Sequence, residues 1–227
     1  ERLPFSINVP NGGSTVDCPD DTDVVPTPPV VTSNCGEVLT PVLTNVSPKN
    51  DCEGHRVYTW TYTDCEGNTA QWSYTYLVEY LDFSVPPSEE YTVECPFNAY
   101  EPTPPTVFDN CGRLLTPVGP SISEENGGEG CASSRRYAWG YEDCEGTKHT
   151  WSVTFHFEYT GEFFTYPDGE DFVSCLDYAQ PPVPPTIYDN CGREIVASGP
   201  VVTEVPGETP CAGSRTFTYV YTDCAGN

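Results

Sequence analysis

The chain has 227 residues, including 24 Pro, 19 Gly, 12 Cys and no Met. Its formal net charge of −25 excludes a nucleic-acid binder and a protein docked on anionic lipid, because both need basic surface. No apolar run reaches membrane-spanning length and no helical periodicity carries caps at both ends, so the composition reads as all-β with proline-rich connections.

The cysteines fall in three sets of four: Cys18, Cys35, Cys52, Cys65; Cys95, Cys111, Cys131, Cys144; Cys175, Cys191, Cys211, Cys224. Equivalent cysteines lie 76 to 80 residues apart. A period near 80 is one small domain, and it divides the chain into modules 1–79, 80–159 and 160–227.

Each module opens with an extended segment (Leu3–Ile7, Leu81–Val85, Phe163–Tyr166), then a turn rich in Pro, Gly and acidic residues. A short strand leads to the first cysteine, as in Tyr91–Cys95. A proline-rich run follows (Pro26–Val30, Pro102–Thr106, Pro182–Thr186), expected to be extended and at a sheet edge. An Asn-Cys-Gly turn (Asn34–Gly36, Asn110–Gly112, Asn190–Gly192) starts a strand predicted over Val38–Val46, Leu114–Ile122 and Ile195–Thr203. A polar loop holds the third cysteine.

An aromatic hairpin closes the module. Tyr58, Trp60 and Tyr62 alternate with Thr59, Thr61 and Thr63, so rings share one face and hydroxyls the other. After the Glu66-Gly67 turn, Trp72, Tyr74, Tyr76 and Val78 again share a face. The pattern returns over Arg136–Phe155 and begins once more at Phe217. A lone hairpin is marginal in water, so the ring-bearing face must pack on a second sheet. Six or seven short strands per module predict a two-sheet, immunoglobulin-like sandwich.

The third module lacks a counterpart of Thr69–Glu79, and Glu1-Arg2-Leu3 aligns with Glu79-Tyr80-Leu81. The pattern therefore predicts a segment of a longer array whose export signal lies elsewhere. The alternative is strand donation by a neighbouring chain, giving a head-to-tail filament.

Regular cysteines imply an oxidising compartment. The Cys-x2-Cys pairs of zinc sites are absent. Counting traverses of the sandwich places the first and third cysteines at one end and the second and fourth at the other. The expected pairs are Cys18–Cys52, Cys35–Cys65, Cys95–Cys131, Cys111–Cys144, Cys175–Cys211 and Cys191–Cys224.

The order Pro-Pro-Thr, Asp-Asn-Cys-Gly, Tyr-x-Tyr-Thr-Asp-Cys-x-Gly-Asn, then Trp-Ser-x-Thr, resembles HYR-type (hyalin-repeat) immunoglobulin-like modules. It is especially similar to the cysteine-containing versions in secreted surface adhesins of gliding bacteria. The resemblance covers all three modules and implies tandem sandwiches, cell-surface display and adhesion, with no catalytic residues. One departure is that the hyalin-type form has a cysteine in its last strand, where Trp72 and Trp151 stand here. The family's disulfide pattern therefore does not transfer.

His55 is expected just before a strand, His149 after the hairpin turn and His156 on its polar face, so no nucleophile–base arrangement recurs and no enzyme is expected. Asp20, Asp21 and Asp23 are candidate calcium ligands, although module 2 reads Phe97-Asn98-Ala99-Tyr100 there. Asp64, Asp143 and Asp223 recur before the fourth cysteine, and turn capping explains them more simply than calcium. No other cofactor is expected. Asn45-Val46-Ser47 fits the N-glycosylation pattern in one module only.

The sequence thus predicts an extracellular, cell-surface adhesive array forming a stalk or fibre, whose partners are neighbouring modules, surface glycans or other surface proteins. Ser47–Asp51, Glu124–Gly130 and Glu204–Pro210 are the variable loops where partner choice would sit. A filament subunit and a carbohydrate-binding accessory module are the alternatives.

Overall fold

The computed structural model describes residues 5–126, 131–161, 163–164, 166–209 and 212–227. Its described residues form strands joined by turns and three short 3-10 segments, with no α-helix. None of its described helices is long and apolar enough to cross a membrane.

In the first module β1 (Gly12–Val16), β4 (Val42–Val46), β5 (Gly54–Thr63) and β6 (Thr69–Val78) make a sheet ordered β1-β6-β5-β4. The strands β2 (Val31–Thr32) and β3 (Val38–Leu39) make a second, two-stranded sheet. The predicted hairpin is β5–β6, in a register that sets Trp60 opposite Trp72 and Tyr58 opposite Tyr74. The first strand runs parallel to the last.

Alternation explains the core. Tyr58, Trp60, Tyr62, Trp72 and Tyr76 are buried together with Phe5 and with Val31 and Leu39 of the second sheet. The Trp60 and Trp72 rings lie 5.4 Å apart. Their polar tips are satisfied, as buried Tyr and Trp require. Tyr58 donates to the Thr22 carbonyl at 2.7 Å, Tyr62 to Pro29 at 2.6 Å, and Trp72 Nε1 to Pro10 at 2.8 Å. The proline-rich run has carbonyls left without strand partners, and the hairpin tyrosines supply the donors.

The second module repeats this with β7 (Glu89–Val93), β8 (Val107–Phe108), β9 (Leu114–Leu115), β10 (Val118–Asn126), β11 (Ala132–Glu142) and β12 (Lys148–Phe157), the larger sheet ordered β10-β11-β12-β7. The third has β13 (Ile187–Tyr188), β14 (Glu194–Ile195), β15 (Ala197–Pro206) and β16 (Gly213–Tyr221). Both β1 and β7 pair with the last strand of their module. The sequence ends at Asn227, before the corresponding residues of the third module. No strand forms at the equivalent place, and Phe172 there is 93% exposed. Each module is an immunoglobulin-like sandwich.

Two local expectations change. The strand predicted over Val38–Val46 divides between β3 and β4, and that over Leu114–Ile122 divides between β9 and β10. Pro41 and Pro117 sit at the breaks, where a residue without N–H cannot continue the ladder. The third module breaks at Val196, dividing the predicted Ile195–Thr203 strand between β14 and β15. His55 lies within β5 rather than before it.

The cysteine pairing differs more. The bonds are Cys18–Cys111, Cys52–Cys144, Cys95–Cys191 and Cys131–Cys224. Each joins a module to the next. The first cysteine of one module meets the second of its successor, and the third meets the fourth. This replaces the expected Cys18–Cys52, Cys95–Cys131, Cys111–Cys144 and Cys191–Cys224. Cys35 and Cys65, expected to pair, are free and exposed, as is Cys175. Cys211, expected to join Cys175, lies outside the described residues. Traverse counting sorts cysteines by end. It cannot say whether the sulfur facing an end belongs to the same module or to the next one.

The chain forms two compact units that cut through the second module. One comprises Glu1–Pro86, Pro104–Val118 and Gly140–Thr150, and the other Pro87–Thr103, Gly119–Trp139 and Trp151–Asn227. Each unit contains two of the four disulfides among the described residues.

Candidate functional site

The recurring site is the joint between successive modules. Its accepting half is built from two turns. In the first, Asp109 accepts the Cys111 and Arg113 N–H groups at 2.9 and 2.8 Å, and its second oxygen accepts Arg113 Nε at 2.8 Å. Gly112 closes the turn at φ +78°, a left-handed conformation that favours glycine. Asp189 repeats all three bonds to Cys191 and Arg193. In module 1, Ser33 Oγ takes the role, accepting Cys35 and Glu37 N–H groups at 3.3 and 3.2 Å. In the second turn, Asp143 accepts Glu145 and Thr147 N–H groups, both at 2.9 Å. Asp64 and Asp223 cap their turns in the same way. Each carboxylate therefore presents the adjacent cysteine on a fixed loop.

The donating half follows the first cysteine, where Pro19–Asp23, Pro96–Asn98 and Leu176–Tyr178 make a 3-10 turn. An arginine from the long strand grips that turn. Arg135 donates to the Pro96 and Ala99 carbonyls at 3.1 and 3.3 Å, and Arg215 to Leu176 and Ala179 at 3.0 and 3.1 Å. Glu124 and Glu204 pair with these arginines, both at 2.6 Å. In module 1, Arg56 donates to Thr22 Oγ1 at 3.2 Å and pairs with Asp23.

In the first joint the bonded cysteines have Cα separations of 5.6 Å (Cys18–Cys111) and 5.8 Å (Cys52–Cys144), within the usual disulfide range. Arg113 lies between the two bridges. It donates to the Asp51 carbonyl at 2.6 Å and to Cys144 Sγ at 2.8 Å, bonds the Tyr80 hydroxyl, and sits 5.1 Å from the Tyr80 ring centroid. The second joint has Cα separations of 5.5 Å (Cys95–Cys191) and 5.3 Å (Cys131–Cys224), with Arg193 over Tyr159 at 4.7 Å and reaching Cys131 Sγ at 3.4 Å. Burial pushes the Asp109 carboxyl up, but the Tyr80 hydroxyl and Arg113 outweigh it and hold the group below its ordinary range. Hydrogen bonding to Tyr80 and Asp109 raises Arg113 despite its burial.

Asp20 and Asp23 both face Lys49 Nζ, at 2.7 and 2.9 Å. The calcium candidates therefore already have cationic partners, and Asp21 sits exposed beside them. The Lys49 hydrogen bond, then Arg56, holds the Asp23 carboxyl below the usual range. Among the described residues, Cys52, Cys144 and Glu145 lie within 4.8 Å of one another. The two sulfurs are bonded to each other, so no thiolate is free for a metal.

The histidines have separate surroundings. His149 meets Asp82 at 2.8 Å and the Phe83 ring, His156 faces Glu90 at 3.6 Å, and His55 lies in β5. Asn45 is exposed on β4. Of the variable loops, Ser47–Asp51 carries Lys49, Glu124 and Glu204 lie within strands, and residues 127–130 and 210 lie outside the described residues.

Sequence reasoning missed the arginines. Arg56, Arg135 and Arg215 recur with the same period as the cysteines, and Arg113 and Arg193 follow the Asn-Cys-Gly turn in two modules. That periodicity was the available signal.

The profile of the family described as HYR-like domain with 4 cysteines matches residues 6–78, 83–157 and 163–227. No curated protein matches the chain. HYR-like repeat domains are generally extracellular modules of the adhesion type.

Proposed function

Because the chain belongs to the family of HYR-like domains with four cysteines, we propose that it is a non-catalytic segment of a cell-surface adhesin, acting as a stalk or fibre that carries adhesive contacts away from the cell. The observation that carries this reading is the doubly bridged joint, Cys18–Cys111 with Cys52–Cys144 and Cys95–Cys191 with Cys131–Cys224. An array whose modules are bonded to one another keeps its order outside the cell, where no chaperone repairs it. Formation of these bonds needs an oxidising compartment. The acidic surface opposes aggregation in a densely displayed protein.

Antibodies against the chain should label intact source cells without permeabilisation, and deletion of the gene should reduce attachment to surfaces or to other cells. Labelling only after permeabilisation would overturn the reading.

One observation favours a second reading, carbohydrate binding by module 2. Phe97 and Tyr100 are 72% and 75% exposed, and Tyr100 and Tyr91 both lie against Phe155. Exposed rings of this kind can stack on sugar faces. A glycan array with the wild-type chain and a Phe97→Ala/Tyr100→Ala variant tests it. Binding abolished in the variant supports it, and a blank array removes it.

A further inference from the structure

We infer that the Cys52–Cys144 bridge is a thiol-exchange site, where a low-molecular-weight thiol bonds Cys52 and expels Cys144 as a thiolate held by Arg113. The four described bridges differ in what surrounds their sulfurs. Arg113 Nη2 lies 2.8 Å from Cys144 Sγ, and Arg193 Nη1 lies 3.4 Å from Cys131 Sγ. The other bridge of each joint meets oxygens instead. Cys111 Sγ lies 3.6 Å from the Asp17 carbonyl and 3.7 Å from Asn110 Oδ1. Cys191 Sγ lies 3.5 Å from the Glu94 carbonyl and 3.7 Å from Asn190 Oδ1.

A disulfide opens when a thiolate attacks one sulfur and the other leaves with the electron pair, and the better-stabilised thiolate leaves faster. A guanidinium stabilises that charge, and carbonyl oxygens oppose it. Each joint therefore combines one bridge with a stabilised leaving group and one without. Access separates the two stabilised bridges. Cys144 is exposed and Cys52 half-buried, whereas Cys131 is only 4% exposed. Arg113 touches Cys144 Sγ and covers that sulfur, which leaves Cys52 as the one to attack. Glu145 works against the attack: its carboxylate lies within 4.8 Å of both sulfurs and accepts the Glu53 N–H at 2.9 Å.

The incoming thiolate forms an S–S bond to Cys52 as the Cys52–Cys144 bond breaks, and the electron pair stays on Cys144 Sγ beside Arg113. A second small thiol then attacks the mixed disulfide and frees Cys52. The chain has gained two electrons and the protons of the two small thiols, which leave as one disulfide. Cys18–Cys111 still holds module 1 to module 2, so the joint slackens without parting. The surroundings of the sulfurs carry this inference, which is independent of the adhesin reading.

The test uses the full chain, its free thiols first capped with N-ethylmaleimide. Reduced glutathione is added in graded amounts, samples are quenched in acid, and new thiols are cyanylated before peptide mapping. Cys52–Cys144 should open first, with glutathione on Cys52 and the new thiol on Cys144, and Cys18–Cys111 and Cys95–Cys191 should open last. Another bridge opening first, glutathione on Cys144, or one rate for all four would overturn the inference. Arg113→Ala should slow the opening of Cys52–Cys144 about tenfold. Because that variant also strands Asp109, Glu145→Gln reads the same electrostatics separately. Glutamine keeps an acceptor for the Glu53 N–H, and the bridge should open several-fold faster. Absence of both shifts would overturn the inference too. None of these outcomes touches the surface-labelling test, so the two readings fail separately.

Discussion

The Arg113 guanidinium lies over the Tyr80 ring at 5.1 Å while its Nε bonds Asp109 at 2.8 Å. The Asp109 side chain is 1% exposed. The residue four places after Asp109 therefore ties together the start of its own module at Tyr80, the Cys144 sulfur of that module and the Asp51 carbonyl of the module before. Arg193 holds the same relation to Tyr159 and Asp189, at 4.7 and 2.8 Å.

Replacing Arg113 with Ala should destabilise the chain by about 2–4 kcal/mol, because it strands a buried carboxylate and removes a cation–π contact. Arg113→Lys should recover only part of the loss, since an ammonium cannot span Asp109, Tyr80 and the Asp51 carbonyl at once. Urea denaturation of the oxidised proteins measures both.

Acid should loosen the joints. Asp109 is held below its ordinary range in the folded chain, as are Asp64, chiefly through Asn68, and Asp223, where bonds to Asn227 outweigh burial. A depressed folded value contributes stability that is fully present above the unfolded carboxylate range, near pH 4, and is lost as pH falls through the folded value. The melting temperature should therefore be flat in these groups from about pH 5 to 7 and fall below about pH 4. Asp109→Asn should be less stable at neutral pH and show a shallower acid slope.

Limited proteolysis distinguishes bonds between modules from bonds within them. The loops closed by Cys18–Cys111, Cys52–Cys144, Cys95–Cys191 and Cys131–Cys224 overlap, so every peptide bond from residue 18 to 224 lies inside at least one of them. A single nick anywhere in that span, including the segments between modules, should release no fragment until reductant is added. Pairing inside modules would instead free a module after one cut near Asp82. Each bridge closes a loop of over 90 residues and, taken alone, contributes about 4–5 kcal/mol by chain entropy.

The hairpin was legible because its signal is local. Alternation at Tyr58, Trp60 and Tyr62 reports the buried face directly, and Asp64 before Cys65-Glu66-Gly67 reports a capped turn. The break at Pro41 had a local signal too, proline inside a run, but the strand expected over Val38–Val46 ran straight through it. The joint was harder to read. Cys111 and Cys144 look alike whether they bond each other or Cys18 and Cys52, because spacing measures path length along one chain and says nothing of which surface abuts the loop. The identical period of Arg56, Arg135 and Arg215 pointed to a repeated polar task, but its object, the carbonyls of a 3-10 turn, exists only once the chain is folded.

Chelation should leave the melting midpoint unchanged. Lys49 already bridges Asp20 and Asp23, and Arg56 also pairs with Asp23, so removing divalent ions should take nothing from that cluster. Melts with EDTA and with added calcium check it; a rise of several degrees with calcium would place an ion there.

The overlapping bridges also decide what happens when the two ends are pulled. The shortest covalent path crosses from Cys18 to Cys111, follows the backbone to Cys131 and crosses to Cys224. Only the segment between Cys111 and Cys131, about 20 residues or ~70 Å at full stretch, can pay out between those sulfurs. Tension passes the hydrogen bonds of β5 and β6 by, and a load that would unravel an unbridged sandwich finds a tether of nearly fixed length, a rope where independently folded beads would give a spring.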